Sequence, residues 1–118
     1  MYMSEIEYTE EQYEEMFAEI ERLFPHANFS IDIDYLSILD ELLTHKTQIF
    51  ISNDRYCYCW DGIDAPKKVF YEIKGDRLTY RFVLNELIRL DFNPDCNHRF
   101  LESIDSVTDI EYSLSMGS

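Results

Sequence analysis

The sequence predicts an α+β fold in which three helices pack mainly on one face of an antiparallel sheet of about four to five strands. Segments with apolar residues every three or four positions are separated by shorter segments in which apolar and polar residues alternate. The 118 residues are the usual size of one domain, and 46% hydrophobic residues supply material for one core. We therefore expect a single acidic domain over residues 1–118, with residues 1–8 as a flexible or strand-like N-terminal segment.

The first predicted helix begins after Thr9. Thr9 is a suitable N-cap, and Gln12 stands three residues later, where it can complete a capping box. Pro25 is expected to end the helix. Apolar residues recur along it at the three- and four-residue steps of one helical face, namely at Tyr13, Met16, Phe17, Ile20 and Phe24.

A strand and a second helix are predicted next. Over Asn28–Asp34 the apolar residues alternate with polar ones, which is typical of a short strand. Asp34 is then a candidate N-cap for a helix that ends near His45. Its apolar side would contain Leu36 or Leu39, Leu42 and Leu43.

The middle of the chain favours β-structure. Thr47–Ser52 and Tyr56–Trp60 flank Asn53-Asp54-Arg55, which suits a tight hairpin connection. Lys67–Lys74 has the alternation of another strand, and Gly75-Asp76 closes it.

The last part of the chain is predicted to form one helix and one strand. Thr79 is a second clear N-cap, and Asn93-Pro94 is expected to end the helix that follows. Asp109–Met116 alternates apolar and polar residues in the manner of a final strand. The apolar face of the helix is formed by Tyr80, Val83, Leu84, Leu87 and Ile88.

The charge of the chain is concentrated in its N-terminal part. Residues 1–45 contain twelve Asp and Glu but only one Lys or Arg, Arg22, whereas residues 46–118 contain twelve acids and nine bases. The local net charges are −11 and −3, which make up the total of −14. A field of one sign on one part of a small protein attracts basic partners and discourages anionic ones. Direct nucleic-acid binding and attachment to anionic membranes are therefore not expected.

The spacing of the glutamates in the first helix is expected to destabilise that helix. Glu10–Glu14, Glu11–Glu15 and Glu15–Glu19 are each four residues apart, so like charges are neighbours on the helix surface. One interpretation is a solvated surface that aids solubility. The other is a functional surface that imitates a phosphate backbone and occupies the Lys- and Arg-rich cleft of a nucleic-acid-binding protein.

We take the second interpretation as the leading hypothesis. The chain is expected to be a protein-binding inhibitor that occludes a basic, nucleic-acid-binding partner such as a nuclease or a defence effector. Viral or phage counter-defence, as in anti-CRISPR or anti-restriction proteins, would be its setting, and the host cytoplasm its location. The residues expected to contact the partner are Glu11, Glu14, Glu15, Glu19, Glu21, Asp32, Asp34, Asp40 and Glu41.

Tyrosines lie among these acids. Tyr is enriched at the energetically important positions of interfaces, so Tyr2 and Tyr8 fit a binding role. Packing in the core or at its rim is the alternative interpretation of these tyrosines, and it is the one expected for Tyr13, which lies on the apolar stripe of the helix.

The cysteines and histidines offer a weaker alternative. Cys57, Cys59, Cys96 and His98 are four residues of the types that bind structural zinc. Only one residue separates the members of each pair, whereas paired zinc ligands usually have two to four between them. Burial of Cys57 and Cys59 as small hydrophobic residues is therefore the favoured interpretation, and no metal or other cofactor is expected.

No arrangement of residues indicates a reaction. Glycine-rich phosphate loops are absent from the sequence, and Cys96 with His98 lacks a third group to orient a nucleophile and base. We therefore expect no enzymatic activity. The competing hypothesis is a structural or assembly subunit that binds through a hydrophobic sheet face, and homo-oligomer formation stays open.

Overall fold

Two α-helices, one 3₁₀ helix and seven strands form the part of the chain that the structure, a computed structural model, describes: residues 8–52, 70–92 and 100–117. In chain order they are α1 (Glu10–Leu23), β1 (Ser30–Ile31), the 3₁₀ helix (Ile33–Ser37), β2 (Leu42–Thr44), β3 (Gln48–Ser52), β4 (Phe70–Lys74), β5 (Leu78–Thr79), α2 (Tyr80–Arg89), β6 (Phe100–Ser106) and β7 (Glu111–Gly117). The α+β class is as predicted. The N-terminal segment predicted over residues 1–8 lies outside the described residues except for Tyr8.

The main sheet is mixed, so the predicted antiparallel arrangement is wrong. Its five strands lie in the order β1-β6-β7-β3-β4, while β2 and β5 form a separate two-stranded sheet. The β3–β4 and β6–β7 pairs are antiparallel, but β1–β6 and β3–β7 are parallel. A parallel pair needs a long crossover connection, and the 3₁₀ helix, β2, β5 and α2 all lie between β1 and β6 in the chain.

The first helix is confirmed at both ends. The Gln12 N–H donates to Oγ1 of Thr9 at 3.1 Å, and the Thr9 N–H donates to Oε1 of Gln12 at 2.8 Å, which completes the predicted capping box. The helix ends at Leu23, with Phe24 as its C-cap directly before Pro25. These caps satisfy backbone groups that have no partner inside the helix.

The predicted helix from Asp34 to near His45 is wrong. A single 3₁₀ helix replaces it, and Asp32 rather than Asp34 is the N-cap, accepting a hydrogen bond from the Asp34 N–H at 3.0 Å. The chain then turns and extends into β2, which pairs with β5. Glu41 accepts from the Tyr80 N–H at 3.0 Å and Leu39 from the Arg81 N–H at 2.8 Å, which satisfies two first-turn donors of α2.

The strand predicted over 28–34 is reduced to the two residues of β1. Its alternation still holds, since Phe29, Ile31 and Ile33 are buried while Ser30 is exposed and Asp32 is partly exposed. Only Ser30 and Ile31 of this segment pair with a neighbouring strand, at Phe100 and Leu101.

The predicted strands around the middle of the chain agree with β3 and β4 where they are described. Gln48 pairs with Lys74 at one end and Ser52 with Phe70 at the other. The Tyr56–Trp60 strand and the 53–55 turn lie outside the described residues. At Gly75, which follows β4, a Cβ atom would lie 2.6 Å from the Phe82 ring, so the glycine permits the close approach of α2.

Thr79 caps α2 as predicted, accepting a hydrogen bond from the Phe82 N–H at 3.1 Å. The helix ends at Arg89, before the predicted Asn93-Pro94. Asp91 takes a left-handed conformation with φ of 61°, and the Phe92 N–H donates back to the Leu87 carbonyl at 2.9 Å. A left-handed residue of this kind commonly terminates helices, and Asp tolerates it better than most residues.

The strand β6 was not predicted. Its sequence, FLESIDS, lacks regular alternation, and only Leu101 within it is fully buried. It forms an antiparallel hairpin with β7, which is the predicted last strand, and the Val107 N–H donates to the Glu111 carbonyl at 2.8 Å across the turn.

These elements enclose one core. Its fully buried side chains come from β3, β4, β5, β6, β7 and α2, together with Phe92, the largest among them. On α1 only Ile20 is buried, and Phe24 follows at its C-cap. One face of α1 is therefore anchored, and the rest of the helix surface is left to solvent.

Candidate partner-binding surface

The solvent side of α1 is covered by carboxylates. Glu10, Glu11, Glu14, Glu15 and Glu21 are exposed, while Ile20 is buried. An α-helix turns by about 100° per residue, so each of these glutamates lies about 80° or more around the helix from Ile20. The caps and the core contacts hold the helix in place, so the backbone positions that carry these glutamates are fixed along its solvent side.

Glu19 differs from the other glutamates because it already has a cation. Nε of Arg22 donates to Oε1 of Glu19 at 3.0 Å, and the hydrogen bonding to Arg22 holds the pKa of the Glu19 carboxyl below its usual range. The charge of Arg81 lowers that pKa further. Glu19 is thus a weaker candidate contact than its neighbours, since a partner's Lys or Arg would have to compete with Arg22.

Asp40 is paired in the same way. Nε of Arg81 donates to Oδ1 of Asp40 at 3.0 Å, and this hydrogen bond holds the pKa of Asp40 below its usual range. Arg81 thus contacts Asp40 directly, while Glu19 is bonded to Arg22. Glu41 is exposed beside this pair.

Asp32 and Asp34 lie in a cleft of about 220 Å³ between the 3₁₀ helix, the start of α2 and β6. The cleft is also lined by Glu102 on β6, and Tyr35 and Tyr80 form part of its wall. Glu102 was not among the predicted contacts, because no pattern in the sequence indicated the strand that carries it. The structure thus places a third carboxylate in the cleft that contains Asp32 and Asp34.

Burial and nearby acidic groups raise the pKa values of the two tyrosines of the cleft. The pKa of Tyr35 is raised to about 12, first by burial and then by the nearby groups Tyr80, Asp32 and Asp105. Burial and the charge of Glu41 raise the pKa of Tyr80. Burial and the neighbouring carboxylates both oppose the phenolate form of these tyrosines.

Tyr13 is not one of the buried core residues. It is 38% exposed, and its ring meets that of Tyr8 edge to face, with centroids 5.4 Å apart. Aromatic pairs prefer this arrangement. The apolar stripe of α1 is therefore wider than the area that the core covers. Tyr2 lies outside the described residues.

The four candidate zinc ligands cannot be placed in this structure. Cys57, Cys59, Cys96 and His98 lie outside the described residues. Within residues 8–52, 70–92 and 100–117, no three His, Cys, Asp or Glu side chains are arranged so that they could hold a metal ion. The helices in these ranges are too short or too polar to cross a membrane.

Comparison with known proteins gives no match: neither a protein family, nor a curated protein, nor a solved structure is significantly similar to this chain. Function is therefore inferred from the geometry and charge of the chain itself.

Proposed function

We propose that this chain is a small acidic inhibitor that binds a basic nucleic-acid-binding protein and occludes the surface on which that protein holds nucleic acid. One observation carries the proposal: five exposed glutamates cover the solvent side of a capped and anchored helix, on which the only cation, Arg22, is bonded to Glu19. A nuclease or defence effector recruits phosphates with Lys and Arg, and a row of carboxylates competes for the same side chains.

The spacing of the glutamates supports a binding role over simple solubility. Like charges four residues apart cost an isolated helix about 0.2–0.5 kcal/mol per pair. A soluble surface does not need this cost, since Lys or Arg at alternate positions would serve equally well. Glu10 and Glu11 are compensated by the helix dipole in the first turn, but Glu14, Glu15 and Glu21 are not.

The mechanism of inhibition is steric and electrostatic. Association of oppositely charged surfaces is fast and falls with ionic strength. No bond of the partner is cleaved or formed in this mechanism, and the chain acts as a binding protein rather than an enzyme. Counter-defence by a virus or phage inside the host cytoplasm is the biological setting that we propose.

A matched pair of charge reversals tests the proposal. The variant E14K/E15K reverses two exposed acids of α1, and the variant D76K/D109K reverses two exposed acids outside α1. Both change the net charge from −14 to −10. Each chain is immobilised, exposed to nuclease-treated host lysate, and eluted with salt. We expect the wild type and D76K/D109K to retain a basic nucleic-acid-binding protein that E14K/E15K loses; equal retention by all three would contradict the proposal.

A second candidate is an assembly subunit that binds through exposed apolar side chains of the sheet. Ile110 and Phe70 are each nearly half exposed, and with Phe50 they line a shallow pocket of about 380 Å³. Salt separates the two candidates. An acidic mimic loses its partner as ionic strength rises, whereas a hydrophobic assembly keeps it.

A further inference from the structure

An apolar groove runs beside the acidic helix. It has a volume of about 550 Å³ and lies between the C-terminal half of α1 and β1, the edge strand of the main sheet. Buried core residues form its floor, while Phe17 on α1 stands at the groove with half of its surface exposed. Its apolar lining includes Phe17, Ile20, Phe24, Phe29, Ile31 and Phe100.

The groove and the glutamates belong to one surface. Glu21 itself lines the groove. Glu10, Glu14, Phe17 and Glu21 follow one another at steps of four, three and four residues, so they form a single stripe along α1. Phe17 therefore has carboxylates on both sides of it along the helix. Among the described residues that line the groove there is no Lys or Arg.

We propose that this groove receives an amphipathic basic segment of the partner, in which large apolar side chains are flanked by Lys or Arg. The inference rests on the proposed function and extends it, because it adds an apolar anchor to an electrostatic surface. Charge complementarity selects the occupant. When an apolar side chain of the partner enters the groove beside Phe17, the partner residues next to it in sequence lie near Glu14 and Glu21. Cationic residues are favoured at those positions.

A second copy of this chain is a poorer occupant. It would bring another molecule of net charge −14 to the same groove, with the glutamates of one α1 set near those of the other. Helices with one apolar and one basic face are instead a common ligand for grooves of this type. The groove also supplies what a row of carboxylates lacks, namely a position that fixes the register of the partner.

Two synthetic helical peptides serve as probes. One has Leu on one face and Lys on the other, and the second has every Leu replaced by Ala, so both carry the same charge. Their binding to the full chain is measured by fluorescence anisotropy with the wild type, F17S and the control Y13S. Phe17 and Tyr13 are both exposed aromatic residues of α1, but of the two only Phe17 lines the groove.

We expect the wild type to bind the Leu/Lys peptide about tenfold more tightly than the Ala/Lys peptide, as burial of one or two apolar side chains would produce. F17S should remove most of that difference and leave Ala/Lys binding unchanged, and Y13S should behave as the wild type. Amide shift mapping on the wild type, which needs no variant, should place the Leu/Lys peptide at Phe29, Ile31 and Phe100. Equal affinity for the two peptides, or shifts elsewhere, would overturn the proposed groove site.

The same data separate this inference from the proposed function. If both peptides bind equally and in a salt-sensitive way, the acidic surface stands and the groove fails. If neither peptide binds, both the acidic surface and the groove fail. Sedimentation equilibrium completes the test, since a wild-type dimer that F17S dissociates would make a second copy the occupant and refute the basic segment.

Discussion

Replacement of Glu14 by lysine should stabilise the fold while it weakens binding to the partner. Glu14 is exposed near the middle of α1, with Glu10 four residues and Glu11 three residues before it. Both neighbours carry the same charge, so the reversal in E14K would turn two repulsions into two attractions. An acid that stands four residues before a base is also the more favourable orientation for such a pair.

The expected gain in stability follows from the charge pairs that residue 14 forms with Glu10 and with Glu11. Each like-charge pair costs about 0.2–0.5 kcal/mol, and an opposite-charge pair gains a similar amount. The reversal of both pairs therefore amounts to about 0.8–2 kcal/mol at low ionic strength, and we expect about 1 kcal/mol after partial screening. In urea this corresponds to a rise of about 0.5 M in the unfolding midpoint.

Urea unfolding at low and high salt measures the gain in the free energy of unfolding of E14K. E14Q is the control, because it removes the repulsion without adding an attraction and should therefore give about half the effect. The gain of E14K should also shrink at high salt. If E14K lowers the midpoint at low salt, or gains as much at high salt as at low salt, the glutamates of α1 do not repel one another as we infer.

Three further predictions concern the fold and its charges. T79A should cost about 1 kcal/mol in urea unfolding, because the Phe82 N–H loses its acceptor, and T79S should restore most of it. Hydrogen bonds from Arg89 lower the pKa of Glu86, so the stability that R89Q loses should be largest at neutral pH and vanish as pH falls through that pKa. Tyr35, with its pKa raised to about 12, contributes stability that is lost as pH rises towards that value, and Y35F should flatten this alkaline decline.

The sequence was sufficient where local signals decide the structure. Thr9 and Thr79 both cap helices as predicted, because capping depends on a side chain and the N–H three residues later. The alternation that ends at Ile33 correctly identified the buried residues, even though only Ser30 and Ile31 pair. Burial periodicity is set by the core, whereas strand length is set by the partner strand.

The errors arise where distant segments compete for the backbone. The leucines of the 36–43 segment fit a helix and an extended chain equally well. In the structure Leu42–Thr44 pairs with β5, and just before it the carbonyls of Leu39 and Glu41 accept hydrogen bonds from the first turn of α2. This contact joins residues about forty positions apart, which periodicity cannot reveal. The irregular FLESIDS segment became a strand for the same reason, since β1 and β7 pair with it from both sides.

The acidic surface was predictable in composition but not in arrangement. The exposure of Glu11, Glu14, Glu15 and Glu21 follows from the helical pattern alone. The neutralisation of Asp40 by Arg81 does not, because the two residues are 41 positions apart. The contribution of Glu102 to the cleft also depends on a strand that the sequence did not indicate.

A competition assay asks whether the chain and nucleic acid occupy the same cleft of the partner. The partner captured on the wild-type chain is bound to a labelled nucleic acid, and the release of the label is followed as wild type, E14K/E15K or D76K/D109K is added at constant salt. We expect the wild type and D76K/D109K to displace the nucleic acid and E14K/E15K to leave it bound. A stable ternary complex of chain, partner and nucleic acid would contradict the proposal, because a mimic and the molecule that it imitates cannot occupy one cleft together.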